Sequence, residues 1–246
     1  MKHGIGLATA FRTLTIFTVW GKESASFVTS LYWFVPVGAT LGTLYYLFMY
    51  LTQSLFSPLL SASLVVALSL WSTRAFHLAG LGDMVDGFGG GWTKERVLEI
   101  MKDSHIGAFG AISITLLLII KVAALTSLIE KSFSFHVIAI VMFSRFFLVF
   151  LATIAPYARK GGGTAHHIVG EAKKRHLGVA LLQIIISVML FYRGDIGKTL
   201  IIFASGLLTS LYILYIGKKR IDGITGDMLG AACELSEAVM LTIASI

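Results

Sequence analysis

The sequence predicts an all-α, polytopic integral membrane protein with about seven transmembrane helices and an N-terminal interfacial or re-entrant helix. Composition is the first observation. Of 246 residues, 56% are apolar and 13% are charged, and mean hydropathy is +0.84, whereas a soluble domain carries about 25% charge. The second is the recurrence of seven apolar segments along the chain. In lipid the backbone must satisfy its own hydrogen bonds, which leaves helices, and too few segments alternate for a barrel. No polar stretch is long enough to form a separate soluble catalytic domain, so residues 1–246 read as a single membrane domain.

In chain order, the run Ile5–Trp20 is largely apolar but is broken by Arg12 and several threonines. Arg12 interrupts what would be a signal-peptide core and no A-x-A-like site follows, so this run is expected to lie at the interface or re-enter. The seven longer segments are Phe27–Leu51, Pro58–Thr73, Ile106–Ile129, Phe135–Tyr157, Leu177–Tyr192, Thr199–Gly217 and Met228–Ile246. A spanning helix needs ~20 residues. The second and fifth are short for this, so each extends into its flanks or is partly re-entrant.

Basic residues alternate between the connections. They are dense in the N-terminal segment (Lys2, Arg12, Lys22), around the glycine-rich interval (Arg74, Lys94, Arg96, Lys102), after the fourth segment (Arg159, Lys160, Lys173, Lys174, Arg175) and before the last (Lys218, Lys219, Arg220). They are sparse between: none in Gln53–Ser57, Lys131 alone, then Arg193 and Lys198. The positive-inside rule then puts the N-terminus in, the C-terminus out and the polar clusters on the cytoplasmic face. This accounts for the formal charge of +7 without nucleic acid. The single cysteine, Cys233, excludes an internal disulfide and reads as a small packed residue.

The longest polar interval is Gly80–Gly110, with Asp83, Asp86, Glu95, Glu99 and Asp103. Asp83 and Asp86 are three apart and Glu99 and Asp103 four apart, so on a helix each pair shares a face. Gly80, Gly82, Gly87, Gly89, Gly90 and Gly91 surround the first pair, and glycine allows tight turns and close backbone approach to a ligand. Carboxylates among glycines suggest a hard divalent cation, and Mg²⁺ commonly comes with a phosphate. The competing reading is a solvated loop.

A second cluster, Asp222–Glu237, repeats the pattern of glycine and aspartate leading into a helix. Asp227 is either a helix cap or, with Glu234 seven residues on along much the same face, the completion of a metal site. The loop Pro156–His176 offers GGGTAHH with Arg159, Lys160 and Lys173–Arg175, and reads best as a solvated positive-inside loop. Arg145, deep in the fourth segment, needs a carboxylate from another helix or a substrate phosphate. Lys121 could snorkel if its helix places it near an interface. Arg74 and His77 lead into the first cluster, where either could touch a phosphate. G-x-x-x-x-G-K-[ST], G-x-S-x-G and H-E-x-x-H are all missing, as is the D-G-x-x-A-R pattern of the CDP-alcohol phosphotransferases.

Three blocks carry a resemblance. FHLAGLGDMVDGFGGG, ERVLEIMKDSHIGAFG and GITGDMLGAACELSE, with WFVPVG at Trp33–Gly38, resemble the adenosylcobinamide-GDP ribazoletransferase (cobalamin synthase) family in order, spacing and multi-span background, over most of the chain. Family members commonly read H-x-D-G-L-A-D-x-x-D-G. Here Ala79 stands at the first acid and Gly82 at the alanine, leaving Asp83 and Asp86.

The resemblance implies joining of adenosylcobinamide-GDP to α-ribazole or its 5′-phosphate, with release of GMP, late in cobalamin assembly. It also implies Mg²⁺ and a bacterial or archaeal cytoplasmic membrane. On that basis Asp83 and Asp86 hold Mg²⁺ on the diphosphate, Asp103 is a further ligand or the base, and Asp227 stands next in either role. Glu99 and Glu234 are further ligand candidates. Arg74, His77 and Arg145 would contact phosphate oxygens, and Gly87, Gly89 and Gly90 would let backbone approach them. Expected partners are these two small molecules and membrane lipid, with a homo-oligomer left open. The alternatives are another membrane phosphotransferase acting on a nucleotide diphosphate-activated alcohol, a cation-coupled transporter, and a non-catalytic scaffold.

Overall fold

A computed structural model of the chain describes residues 3–18, 26–132, 135–159, 162, 165–191 and 195–246. Lys2, Trp20, Lys22, Lys160, Gly161, Gly163, Thr164, Tyr192 and Arg193, named above, lie outside these residues. All seven apolar segments are helical. A 3-10 stretch, Phe27–Trp33, runs into α2 (Phe34–Thr52), preceded by the short α1 (His3–Leu14). Then come α3 (Pro58–Thr73), α4 (Phe76–Gly90), α5 (Lys94–Ile100), α6 (Ala108–Glu130) and α7 (His136–Ile154). The chain closes with α8 (His166–Glu171), α9 (Lys174–Phe191), α10 (Ile196–Ile221) and α11 (Gly226–Ala244).

Among the described residues, four helices are long and apolar enough to cross a membrane: Phe27–Thr52, α6, α7 and α10. The pair α3–α4, bent by 89°, makes a fifth if it is one span. The seven-span expectation is therefore met in helices but not in uninterrupted spans. α11, which carries Asp227, Glu234 and Glu237, and α9 are outside the set.

Local chemistry sets the boundaries. Pro58 starts α3 in its first turn, behind a Ser57 side chain that accepts from Leu60 N at 3.4 Å, the geometry of an N-cap. Thr93 caps α5, Asp195 caps α10 and Thr225 caps α11 in the same way. α10 ends in Lys218, Lys219 and Arg220, where cations suit the negative end of the helix dipole. Arg220 reaches further and donates to Gly91 O at 2.6 Å and Phe88 O at 3.2 Å, satisfying carbonyls at the end of α4.

The first part of the glycine-rich interval is not the solvated loop of the competing reading. Phe76–Gly90 is continuous helix, and only residues near Gly91–Thr93 break it before α5. Periodicity hid this, because glycine is a poor helix former. Tertiary packing overrides that propensity. α4 is pressed between α11 and α6, where missing side chains permit close approach.

α7 and α11 form the centre of the bundle. The apolar window of α7 is 78% buried, against 33% in α6 and in α10. The outer helices point Ile112, Leu116, Ile119 and Ile120 on α6, and Leu200, Ile201 and Leu208 on α10, away from the protein. An exposed row of this kind is the lipid-facing surface expected of a bundle in a membrane. Cys233 is fully buried, as the sequence suggests.

Candidate active site

The site is built where the chain leaves α7 and enters α11. Ile224 N donates to Pro156 O and Ala158 N donates to Ile224 O, both at 2.9 Å. This short parallel bridge clamps the two segments together and sets Arg159 beside the first turn of α11. Arg159 Nη2 donates to Asp227 Oδ2 at 2.7 Å and lies 3.4 Å from Met101 O. Thr225 Oγ1 accepts from Met228 N at 3.3 Å and donates to Asp227 Oδ2 at 3.2 Å. Asp227 is thus held by a cation and a hydroxyl, which goes beyond a simple cap.

α4 brings the second carboxylate. At Gly80 a Cβ would lie 2.8 Å from Asp227 O, and at Gly230 one would lie 2.9 Å from His77 O. These glycines let the α4 and α11 backbones nearly touch. Asp83 follows Gly80 by three residues and so stays on the same side of α4. The like charges of Asp227 and Asp86 and the positive charge of Arg159 all act on Asp83. Among the described residues no hydrogen bond ties its carboxylate.

Asp83, Asp227 and Arg159 line one cavity of about 200 Å³, walled by Leu14, Phe34, Tyr157 and Ile168 among others. His77 and Ala79 line it too. His77 is 3% exposed, and among the described residues its Nδ1 has no hydrogen-bond partner, nor has Arg159 Nε. Buried polar atoms are nearly always bonded, so two such orphans at one cavity mark a place where a polar ligand or water completes the set. Ala79 puts a methyl group where the family's first acid would enter the same cavity.

The other expected site residues lie elsewhere. Asp86 accepts from Gly107 N at 2.7 Å and Gly110 N at 2.8 Å. Its two oxygens tie α4 to the start of α6, the place where a negative charge offsets the helix dipole. Glu99 pairs with Arg96 at 2.8 Å on exposed α5. Asp103 lies past the end of α5, so it does not share a helical face with Glu99. It accepts from His105 N at 3.0 Å and faces His105 Nδ1 at 2.6 Å. These bonds hold its carboxyl below the usual carboxylate range, which weakens it as a base, and it does not line the cavity. Gly87 packs on Met101, Gly89 on the Phe109 ring and Gly90 on Ile100. All three serve helix packing, and none lines the cavity. Arg74 sits at the α3–α4 corner, in a neighbouring cavity.

Glu234 and Arg145 belong to a separate cluster deep in the bundle. Lys121 Nζ donates to Glu234 Oε2 at 2.6 Å and Glu237 Oε1 at 2.9 Å. Arg145 Nη1 donates to Glu237 Oε2 at 2.5 Å and Ser144 Oγ at 2.7 Å. Of the two partners open to Arg145, the carboxylate is the one found. Lys121 does not snorkel. It is buried against two glutamates, so Glu234 is an ion-pair partner at a distance from the cavity. Two cations and two anions neutralise one another here, as intramembrane charges must. A transporter would place its key polar groups at this depth, but here the four charges pair with one another.

Sequence reasoning missed Arg159, which was counted with the loop charges. The adjacent Gly-rich run was its only signal, and the bridge to Ile224 was invisible in one dimension.

Comparison with known proteins agrees with the blocks on α4, α5 and α11. The family described as cobalamin-5-phosphate synthase matches residues 6–245. The chain belongs to the cobalamin-5-phosphate synthase family. It is 41% identical over 242 residues to the adenosylcobinamide-GDP ribazoletransferase of Chlorobium phaeovibrioides, covering 98% of this chain and 97% of that protein. It is 41% identical over 239 residues to that of Prosthecochloris aestuarii, covering 96% and 95%. A relative of the same name from Syntrophobacter fumaroxidans is 38% identical over 237 residues, covering 96% and 91%. No solved structure matches the chain. Cobalamin-5-phosphate synthase membership makes this an enzyme, a membrane transferase of cobalamin biosynthesis.

Proposed function

We propose that this chain joins adenosylcobinamide-GDP to α-ribazole, or to its 5′-phosphate, and releases GMP, and that it does so in the cavity of Asp83, Asp227 and Arg159. The observation that carries the reading is the convergence of two carboxylates and a guanidinium on one cavity, contributed by three segments far apart in sequence. In the reaction a ribose hydroxyl of the acceptor attacks the cobinamide-side phosphorus. One P–O bond forms, the bridging P–O bond to GMP breaks, and the hydroxyl proton is released. Little covalent chemistry falls to the protein, so positioning and electrostatics carry the catalysis.

Arg159 neutralises phosphate oxygens, and its fork suits bidentate contact with them. Asp83, tied by no hydrogen bond among the described residues, is the carboxylate open to substrate, and takes the hydroxyl proton only where it does not hold the metal ion. Asp227, already paired with Arg159, is the weaker base. His77 Nδ1 offers a further hydrogen bond to bound substrate.

Mg²⁺ fits this donor set. It is usually held by one or two carboxylates together with substrate phosphates. Among the described residues no three His, Cys, Asp or Glu side chains form a metal cluster of their own, but Asp83 and Asp227 supply two carboxylates on the cavity. The ion would act there as a Lewis acid on phosphate oxygens. On the positive-inside reading of the basic loops, the cavity faces the cytoplasm from the cytoplasmic membrane, with the N-terminus in and the C-terminus out. Liposome-reconstituted protein given both substrates should form cobalamin and GMP together, and only with Mg²⁺. Folded protein that makes neither product would refute the reading.

A further inference from the structure

A second cavity, of about 310 Å³, adjoins the first and shares Thr13, Phe27 and Phe76 with it. That volume is at the lower end of the ~300–1,000 Å³ range of small-molecule sites. Two arginines line it, Arg12 from α1 and Arg74 from the α3–α4 corner. Arginine stays charged at any working pH, so Arg74 presents a permanent cation to the cavity.

The corner has an unusual backbone. Arg74 and Ala75 both adopt left-handed conformations, with φ of 56° and 50°. Neither is glycine, and such residues carry local strain that the surrounding fold must hold in place. Together they turn α3 into α4 through 89°, and the turn puts Arg74 on the cavity. Among the described residues no ion pair ties up its guanidinium.

The remaining polar lining has a definite sense. Thr13, Thr15 and Thr73 donate their hydroxyl protons to Thr9 O, Phe11 O and Ser69 O, each at 2.7 Å. Thr15 Oγ1 already accepts from Phe17 N at 3.0 Å, whereas the Thr13 and Thr73 hydroxyls have only lone pairs left to offer, and these accept from a ligand's own hydroxyl or amino groups. A cation for an anionic group, beside acceptors for hydroxyls, matches a phosphorylated sugar.

We infer that the Arg12–Arg74 cavity is a ribose-phosphate subsite contiguous with the reaction cavity. The assignment rests on the function proposed above and extends it. Two substrate groups share this chemistry: a 5′-phosphate on the acceptor ribose, and the ribose phosphate of the guanosine that leaves.

The test measures KM and kcat for Arg74→Gln, Arg12→Gln and Arg74→Lys in liposomes. Each variant is given adenosylcobinamide-GDP with α-ribazole, and then with its 5′-phosphate. Loss of a charge-assisted phosphate contact should raise one KM by about tenfold or more, with kcat moving far less and Arg74→Lys recovering part of the loss. A rise confined to the phosphorylated acceptor assigns the subsite to the acceptor. A rise in the KM of adenosylcobinamide-GDP assigns it to the guanosine side. Unchanged KM values in both glutamine variants, or a fall in kcat alone, would overturn the subsite. Binding of ribose 5-phosphate, compared with ribose, is read separately by calorimetry. Wild-type protein should favour the phosphate and Arg74→Gln should lose that preference; equal binding of both sugars by wild-type protein would contradict the inference. A wild-type protein that releases no GMP refutes the reaction, and the subsite is still judged by this binding.

Discussion

Arg159 donates to Asp227 at 2.7 Å across 68 positions of sequence. The parallel bridge between residues 156–158 and 224 sets the pair, and the pair closes one side of the cavity. Because the two side chains act as a unit, their losses should not add. Arg159→Gln and Asp227→Asn should each lower kcat/KM by about a hundredfold or more, near the scale of losing one electrostatic stabiliser. The double variant should be little worse than either. Steady-state kinetics in liposomes checks this, and additive losses would mean the two residues work independently.

Asp86→Asn should act mainly on stability. The carboxylate accepts two backbone N–H groups, and an amide at that position can present only one oxygen to them. The expected loss is about 1–3 kcal/mol, read as a lower unfolding midpoint in detergent. A hundredfold fall in turnover with an unchanged midpoint would instead make Asp86 a direct participant.

The buried charges should be costly to break and tolerant of paired removal. Glu237→Gln leaves Lys121 and Arg145 short of a counter-charge and should destabilise by about 3–5 kcal/mol. Lys121→Met combined with Glu234→Gln removes opposite charges together and should be milder than Lys121→Met alone. Denaturant unfolding in micelles decides the order; a milder single variant would contradict the network.

Gly230→Ala tests the α4–α11 approach. The added methyl would lie 2.9 Å from the His77 carbonyl oxygen, so the helices must separate. Overpacking of this kind costs about 1–3 kcal/mol. Turnover should fall as well, because the separation moves Asp83 away from Asp227. Turnover and stability equal to wild type would show that the contact does not set the site.

Much of this was legible in one dimension. Hydropathy alone marked the helices of the seven apolar segments but not α4, and glycine-flanked aspartates singled out Asp83 and Asp227, which line one cavity. The errors share one cause, which is that sequence shows the residue but not its neighbour. Gly87, Gly89 and Gly90 read as points of backbone approach to phosphate, whereas they pack against α5, Met101 and α6. Glu234 read as a ligand because the cation facing it, Lys121, lies 113 positions away. Asp103 shared a face with Glu99 only if α5 continued, and it stops at Ile100. Arg159 was hidden among loop charges whose number, not position, had been explained.

The most direct test of the central claim is GMP release and cobalamin formation by liposome-reconstituted wild-type protein and Asp83→Asn side by side, with and without Mg²⁺, and with unfolding midpoints measured on both. The account expects Mg²⁺-dependent formation of both products by wild-type protein. It expects a loss of about a hundredfold or more in Asp83→Asn at an unchanged midpoint. Near-normal turnover by a well-folded Asp83→Asn would contradict it and move the chemistry out of this cavity.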